Sequence, residues 1–268
     1  MCKFFRTFAA KIYFMLTTMM RIMRFHTLPV WVLFCGLMLS ACSTERTVNQ
    51  AGSVVRDTLN NVPCCVYLPY RYATRADKEI FPVLYLQHGM WGDENDWTEK
   101  GRLVPIMDSL LRAGQVKEMV VIMPDNCPGR PTYEEEKSNA TSGQWEADFA
   151  QFMRDAESRY SISTAPSQRA IAGLSMGGYH TMRVSSVLDG SFAYVGMFSA
   201  ATFVHEAPSS PLVFWLGIGK DDFLYESFLD YRRWLDAQHV EYTYYESEGG
   251  HTWPNWQDYI TRFLKKLF

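Results

Sequence analysis

Ser175 lies in the segment Arg169-Ala170-Ile171-Ala172-Gly173-Leu174-Ser175-Met176-Gly177-Gly178. The apolar run 169–174 predicts a strand, and the apolar side chains of 177–188 recur at helical spacing. Glycines flank the serine because a tight turn leaves no room for Cβ atoms. Such a turn raises the hydroxyl to a helix N-terminus, where backbone N–H groups favour negative charge. Ser175 is therefore the candidate nucleophile.

A histidine base is the second requirement, because a serine hydroxyl reacts well only when its proton is accepted during the attack. In strand–turn–helix sites of this kind, an acid and then a histidine follow the serine, so two of the six histidines qualify, His239 and His251. His239 is at the polar end of the predicted helix 223–237. His251 is in a Gly-Gly-His loop after the predicted strand 241–245, and this position favours it as the base.

The candidate acid follows the predicted strand 212–217, which leads into Gly219-Lys220-Asp221-Asp222. Adjacent loop residues point in different directions, so one of the two aspartates is expected to reach the imidazole and fix its tautomer. Asp222 is the preferred acid. Asp221 is the alternative, and its expected role otherwise is in the loop or as a helix cap.

The predicted strand 81–87 ends in His88-Gly89-Met90-Trp91-Gly92, where a second donor for a developing oxyanion would be placed. The expected donors are backbone amides, one from Met176 and one from Met90 or Trp91. His88 is interpreted as a structural hydrogen-bonding residue that holds this loop.

The rest of the chain alternates between strand and helix patterns. Strands are expected over 62–68, 81–87, 119–123, 169–174, 192–198, 212–217 and 241–245, and helices over 104–111, 149–160, 177–188, 223–237 and 256–268. Parallel neighbours need crossover connections, so the pattern predicts an α/β fold with a mostly parallel sheet and helices on both faces. The polar, Pro-rich stretch 125–144 is expected to be irregular, either as a binding loop or as a solvated insertion.

Composition favours one domain, since 268 residues with 47% apolar content bury a substantial core. Residues 1–41 hold five Lys or Arg and no Asp or Glu, which leaves 21 positive and 29 negative side chains, a net charge of −8, on the remainder. An acidic body argues against nucleic-acid binding, which needs a basic patch.

The N-terminus has the features of a targeting segment. Arg21 and Arg24 precede a 12-residue apolar run, 28–39, which is too short to span a bilayer and is typical of a signal peptide. The run ends in Leu39-Ser40-Ala41-Cys42, which resembles a bacterial lipobox with Cys42 as the lipidated residue. The alternative is ordinary cleavage, with Cys42 an incidental thiol.

These features divide the chain into three parts. Residues 1–41 are the expected signal segment, in which Met1 to Ile22 is a possible upstream start artefact. Residues 42–58 are polar and are expected to form a tether after the lipid anchor. Residues 59–268 are the expected folded domain.

The remaining cysteines do not suggest a disulfide framework. Cys64 and Cys65 are adjacent in a predicted strand, so they should face opposite sides and not bond to each other. They are expected to be free, or to form one bridge with Cys127. No His or Cys pair has the spacing of metal ligands, so no metal is expected.

Four segments together are similar to the esterase D family, and most to its bacterial feruloyl esterase and acetyl xylan esterase branch. They are 86–97 (Leu-Gln-His-Gly-Met-Trp-Gly-Asp-Glu-Asn-Asp-Trp), 171–178 (Ile-Ala-Gly-Leu-Ser-Met-Gly-Gly), 219–222 (Gly-Lys-Asp-Asp) and 249–253 (Gly-Gly-His-Thr-Trp). The resemblance covers nearly all of 52–268 and implies an α/β-hydrolase fold. Family members with a Gly-x-x-Asp acid support Asp222.

The resemblance also implies an activity, the hydrolysis of a feruloyl or acetyl ester on a plant-wall sugar without metal or organic cofactor. With the expected anchor, it implies an exported, membrane-anchored lipoprotein of a bacterial cell envelope. The same family contains S-formylglutathione hydrolases and mycolyltransferases, so a small-ester hydrolase and an acyltransferase stay open. A lipid-anchored carbohydrate-binding protein without turnover is the less favoured alternative.

Three tryptophans next to these motifs, Trp91, Trp145 and Trp253, are candidates for stacking on a sugar or a phenolic acyl group. Each is equally compatible with packing. Trp97 is expected to anchor the helix that follows it.

Overall fold

A computed structural model describes residues 51–76, 79–126, 132, 134, 135, 138 and 144–268. The predictions for the signal segment 1–41, for Cys42 and for Cys127 lie outside the described residues, as does most of the stretch 125–144. In the described part of the chain, no helix combines the length and the apolar character needed to cross a membrane.

The centre of the fold is one sheet of eight strands in the order β1-β2-β4-β3-β5-β6-β7-β8. Neighbouring strands from β4 to β8 are parallel, and β2 is antiparallel to both β1 and β4. The predicted mostly parallel sheet is therefore confirmed. The strands are β1 (Ser53–Leu59), β2 (Val62–Leu68), β3 (Val83–Gln87), β4 (Val120–Pro124), β5 (Arg169–Leu174), β6 (Tyr194–Phe198), β7 (Val213–Gly219) and β8 (Thr243–Ser247).

Helices cover both faces of this sheet, as predicted. They are α1 (Asp96–Glu99), α2 (Leu103–Arg112), α3 (Gln144–Arg159), α4 (Met176–Val187), α5 (Tyr225–Ala237) and α6 (Trp253–Leu264). Apolar side chains of α2 and α6 share one buried cluster, and those of α3, α4 and α5 share another. Since alternate residues of the strands from β2 to β8 enter different clusters, the sheet separates two hydrophobic layers.

The adjacent cysteines of β2 illustrate this alternation. Cys64 belongs to the layer of α3, α4 and α5, and Cys65 belongs to the layer of α2 and α6. Both are buried and free, which confirms that they do not bond to each other. Burial raises the pKa of the Cys64 thiol to about 12. Because the thiolate is the reactive form, the fold keeps this cysteine inert.

Strand β1 corrects the predicted tether. Residues 53–58 were expected to be unstructured, but they pair antiparallel with β2 from Ser53 opposite Leu68 to Leu59 opposite Val62. β1 is an edge strand, and residues from Ser53 to Arg56 are exposed on both faces. An edge strand that buries few side chains lacks the apolar alternation by which strands are recognised, so its sequence looked like a polar linker.

Two helix starts also differ from the sequence expectation. Helix α3 begins at Gln144, five residues before the predicted start at Phe149, so it follows directly on the predicted irregular stretch 125–144. Helix α6 begins at Trp253 instead of Trp256, and a proline lies in its first turn. Proline is favoured there because its missing N–H would have no helical partner.

Phe198, at the end of β6, is at the centre of the aromatic layer under α6. It is fully buried, and its ring contacts those of Trp97, Trp215, Tyr259 and Phe263, with centroids 5.5–6.3 Å apart. Replacement of Phe198 by Ala leaves a cavity among rings that cannot close together. We expect a loss of about 3–5 kcal/mol in the free energy of unfolding.

Urea unfolding followed by tryptophan fluorescence measures this loss. Leu212→Ala is the matched control, because Leu212 is 71% exposed and its truncation should cost less than about 0.5 kcal/mol. Equal losses in the two variants would contradict the central position assigned to Phe198.

Candidate active site

The residues singled out from the sequence follow strands whose carboxyl ends share one edge of the sheet. His88 follows β3, Ser175 follows β5, the loop with Asp222 follows β7 and the loop with His251 follows β8. In open α/β sheets this edge is where ligands bind, because the loops that leave parallel strands meet there.

Ser175 is held in a strained turn between β5 and α4. Its backbone has φ 54° and ψ −118°, a conformation that residues with a side chain rarely adopt. Neighbouring backbone stabilises it: its N–H donates to the Phe198 carbonyl at 2.9 Å, and its carbonyl accepts from Tyr179 and Ala201 N–H at 3.1 Å. The half-buried serine is thus presented at the start of α4, as the sequence predicted.

Gly177 shows why this turn requires glycine. A Cβ atom at this position would lie 2.1 Å from the carbonyl oxygen of His88. The first turn of α4 therefore packs directly on the backbone that follows β3. This contact places the serine turn beside the loop expected to carry the second oxyanion donor.

Asp222 and His251 form a direct contact. The imidazole Nδ1 lies 3.0 Å from Asp222 Oδ1 and 2.9 Å from Oδ2. The aspartate side chain is fully buried, and Oδ1 also accepts the Leu224 N–H at 2.9 Å. A carboxylate on Nδ1 favours the tautomer with the proton on that nitrogen and leaves Nε2 able to accept one.

Asp221, the alternative acid, is exposed, and its N–H donates to the Gly249 carbonyl at 2.9 Å. The structure thus brings the preferred aspartate, and not its neighbour, to the imidazole. His239, the alternative base, is also exposed and lies just beyond the end of α5.

The loops after β7 and β8 are packed tightly enough to fix this pair. A Cβ atom on Gly219 would lie 2.1 Å from the carbonyl oxygen of Gly249. The Asn255 amide donates to the carbonyl of Glu248 at 2.8 Å and to Ser247 Oγ at 3.0 Å, so helix α6 holds the loop that carries His251. Asn255 was not identified from the sequence, because an amide in a helix carries no sign of the loop that it holds.

Two aromatic rings flank the His251 imidazole. The Phe223 ring centroid lies 4.4 Å from that of the imidazole, and the Trp256 ring packs edge-on at 4.9 Å. Phe223 is 76% exposed although it is a large apolar side chain, and it directly follows Asp222. Neither ring was assigned a role from the sequence, since an isolated aromatic residue gives no indication of its neighbours.

Ser175 and His251 line the same pocket, of about 620 Å³. The predicted donor residues Met176, Met90 and Trp91 also line it. A hydroxyl at a helix N-terminus, a carboxylate-paired imidazole and nearby backbone amides are the groups needed to transfer an acyl group through a serine ester. The catalytic and oxyanion roles of these residues stay predictions.

The three candidate tryptophans have different surroundings. Trp91 is 63% exposed and lines the pocket, and Trp253, at the start of α6, lines it as well. Trp145 is not among the described residues that line the pocket. Its ring packs against those of Phe149 and His180, with ring centroids 5.7 and 5.4 Å apart. These ring contacts place Trp145 against the buried layer of α3, and its contact with substrate stays a prediction.

His88 has the structural role that the sequence indicated. It is buried, its Nδ1 lies 2.6 Å from the Gly89 carbonyl oxygen, and its Nε2 accepts the Asn126 N–H at 3.1 Å. The Asn126 amide nitrogen also donates to the His88 carbonyl at 3.2 Å. Asn126 follows β4 at the same edge of the sheet, and this position was the signal that could have identified it.

Among the described residues, no group of three or more His, Cys, Asp or Glu side chains has the arrangement of a metal site.

The family model described as "Putative esterase" matches residues 58–267. An endo-1,4-β-xylanase/feruloyl esterase of Xylanibacter ruminicola is 30% identical over 154 residues, which are 54% of this chain and 20% of that protein. The chain thus spans about a fifth of that relative. An acetyl esterase of Caldicellulosiruptor saccharolyticus is 23% identical over 71% of this chain and 84% of its own.

A solved structure with the same fold is the ferulic acid esterase of Anaeromyces mucronatus, determined in complex with ferulic acid. It is 21% identical to this chain, with a TM-score of 0.68, and the match covers 82% of this chain and 91% of that protein.

The adjacent aspartates allow a matched test of the site. We expect Asp222→Asn to slow the labelling of Ser175 by a fluorophosphonate probe by about two to four orders of magnitude, because the wrong imidazole tautomer is favoured. Asp221→Asn removes the same charge one residue away and should leave the rate within about twofold. Time-resolved gel fluorescence measures both rates, and comparable slowing in the two variants would contradict the assignment.

Proposed function

We infer the function from the family: the chain belongs to the esterase family, whose model matches residues 58–267. Membership makes it a carboxylic ester hydrolase of α/β-hydrolase fold. We propose that it is an exported serine esterase that removes feruloyl or acetyl groups from plant-wall polysaccharides or oligosaccharides. The observation that carries the mechanism is the buried Asp222 carboxylate on Nδ1 of an imidazole that shares a pocket with Ser175.

In the first half of the proposed reaction, the Ser175 hydroxyl attacks the ester carbonyl and His251 Nε2 accepts its proton. Asp222 holds the ring and stabilises the imidazolium by its negative charge. The tetrahedral intermediate then collapses, the bond to the alcohol oxygen breaks, and His251 returns the proton to that oxygen. The alcohol leaves, and the acyl group stays on Ser175 as an ester.

In the second half, His251 accepts a proton from water, whose oxygen attacks the acyl-enzyme. Collapse of the second intermediate releases the acid, and the proton returns to Ser175. Both intermediates carry an oxyanion, for which the proposed donors are the backbone N–H of Met176 and that of Met90 or Trp91. A single donor of this kind contributes about 3 kcal/mol to the transition state.

The proposed substrate has two sources of support. The curated relatives are named for feruloyl esterase and acetyl esterase activity, and one of them also carries xylanase in its name. The pocket itself has a largely apolar wall that includes Trp91, Phe203 and Trp253, and such a wall suits an acyl group or the apolar face of a sugar. Initial rates with p-nitrophenyl acetate, p-nitrophenyl butyrate and methyl ferulate rank the acyl groups by kcat/KM.

The proposed location rests on the sequence before residue 43. The short apolar run followed by Leu39-Ser40-Ala41-Cys42 supports export with a lipid on Cys42 and attachment to a membrane of the bacterial cell envelope. Such an anchor would hold the enzyme where polymeric substrates are met outside the cytoplasm.

Ser175→Ala removes the proposed nucleophile with the loss of a single oxygen. We expect turnover of p-nitrophenyl acetate to fall by about 10⁴- to 10⁶-fold. The unfolding midpoint should stay close to that of the unchanged protein, since the hydroxyl is not needed for the turn. A folded variant with unchanged turnover would refute the mechanism.

Cys42→Ala tests the proposed anchor. In a bacterial host grown with labelled palmitate, the unchanged chain should incorporate label and sediment with membranes. The variant should do neither, because the thiol that receives the lipid is missing. Ser43→Ala is the control, and label in the Cys42→Ala protein would show that another residue carries the lipid.

A further inference from the structure

The pocket that contains Ser175 has one polar region that the proposed mechanism does not use. Apart from His251, the charged side chains that line the described pocket are Asp96 and Lys100. The other lining side chains are mainly apolar or aromatic. A few fixed polar groups in an apolar pocket usually set the orientation and identity of the ligand.

These two residues form an ion pair between the first residue of helix α1 and the residue that directly follows its end. Lys100 Nζ lies 2.8 Å from Asp96 Oδ1, the lysine side chain is 54% exposed, and that of the aspartate is 10% exposed. The carboxylate is also close to the oxyanion loop, because a Cβ atom on Gly92 would lie 2.4 Å from Asp96 Oδ2. The pair is therefore next to the loop that carries Met90 and Trp91.

The backbone around the pair is fixed from two directions. The Trp97 indole N–H donates to the Gln87 carbonyl at 3.0 Å, which ties α1 to the end of β3. The Gln257 amide of α6 donates to the Lys100 carbonyl at 2.9 Å. The backbone that carries the pair is therefore already in place, so binding of a ligand does not need to order it.

The charge of the pair selects among possible ligands. An ammonium group has three donors, so the bond to Asp96 leaves hydrogen-bonding capacity on the exposed side of Lys100. Because the adjacent carboxylate balances the lysine charge, an anionic ligand gains little net attraction. Neutral hydroxyl groups, which both donate and accept, match a lysine–carboxylate pair better.

Trp253 adds an aromatic face at the same end of the pocket. Its ring packs edge-on to that of Trp97, with centroids 5.5 Å apart, and Lys100 is three residues after Trp97. An indole face beside a donor–acceptor pair suits a ring that has apolar C–H groups on one side and hydroxyls at its rim, as a sugar has.

We propose that the Asp96–Lys100 pair binds hydroxyl groups of the sugar from which the acyl group is removed. The inference rests on the proposed function and assigns its alcohol side to this end of the pocket. Lys100 is then a residue that determines substrate specificity and takes no part in the chemical steps.

Lys100→Met tests the assignment, because it keeps the aliphatic stem and removes the ammonium group. We expect kcat/KM for an acetylated xylo-oligosaccharide to fall about tenfold, which is the effect of losing a hydrogen bond to a charged donor. With ethyl acetate, which has the same acyl group and no sugar, kcat/KM should change by less than about twofold, since no contact is lost. The change with the sugar ester should appear mainly in KM, because the contact is equal in ground and transition states.

Arg262→Met is the matched control. Arg262 is also half-exposed and paired with an aspartate four residues before it, Asp258, but it does not line the pocket. The variant should leave the rates with both substrates unchanged. An equal loss on the two substrates in Lys100→Met, or no loss on either, would overturn the inference. A third substrate, monoethyl succinate, carries a negative charge and no sugar. A fall in kcat/KM for this ester alone would also overturn the inference, because it would identify an anion site.

Binding to the Ser175→Ala protein separates this inference from the proposed function. Calorimetry with the uncleaved acetylated xylo-oligosaccharide should show about tenfold weaker binding when Lys100→Met is added. If Lys100→Met leaves the affinity for this oligosaccharide unchanged, the inference is overturned, even if the enzyme hydrolyses other esters. Conversely, weaker binding combined with no ester hydrolysis by the unchanged protein supports the subsite and refutes the proposed function.

Discussion

The close approach of helix α4 to the backbone after β3 is the constraint on which the candidate site depends. Gly177 packs against the His88 carbonyl with no space for a side chain. Strand β5 must therefore turn into α4 within one residue, and Ser175 adopts a left-handed φ to do so. Such strain persists only where the surroundings over-determine the conformation, and here hydrogen bonds from β6, from α4 and from the segment after β6 do so.

A second close approach organises the other half of the site. The loops after β7 and β8 touch at Gly219 and Gly249, and this contact lets Asp222 reach His251 from a neighbouring strand. The contacts at Gly177 and Gly219 have the same structural effect. At each glycine the missing side chain lets two segments at the carboxyl edge of the sheet pack directly on each other, and the proposed catalytic groups from distant positions in sequence are brought to one edge.

The sequence predicted most of this arrangement because its central features have local signals. The strand, glycine turn and helix around Ser175 are contiguous, and buried parallel strands such as β5 are continuous apolar runs. Edge strand β1 was missed because it buries little, and the early start of α3 was missed because Gln144 and Glu146 interrupt the apolar spacing of its first turn. The contacts of Trp145 with Phe149 and His180 could not be predicted, since the sequence does not tell which layer a helical side chain enters.

Residues that act through others were the least visible in the sequence. Asn126 and Asn255 hold loops through backbone carbonyls, and Phe223 covers an imidazole that is 28 positions later in the chain. Each depends on a contact between segments that the fold brings together, and no local pattern reports such contacts. The preference for Asp222 over Asp221 was supported by the family resemblance, and in the structure it is the Asp222 carboxylate that is buried beside Nδ1 of His251.

The enclosure of His251 has a kinetic consequence for the proposed two-step reaction. Asp222 contacts one ring nitrogen, Phe223 lies beside the ring, Trp256 packs edge-on, and the imidazole lines the same pocket as Ser175. The incoming nucleophile of the second step then shares its route with the departing alcohol. Water reaches the acyl-enzyme only after the alcohol has left the pocket. An alcohol that leaves slowly can instead attack the acyl-enzyme and take the acyl group back. The partition between hydrolysis and return of the acyl group to the alcohol then depends on how fast the alcohol leaves the pocket.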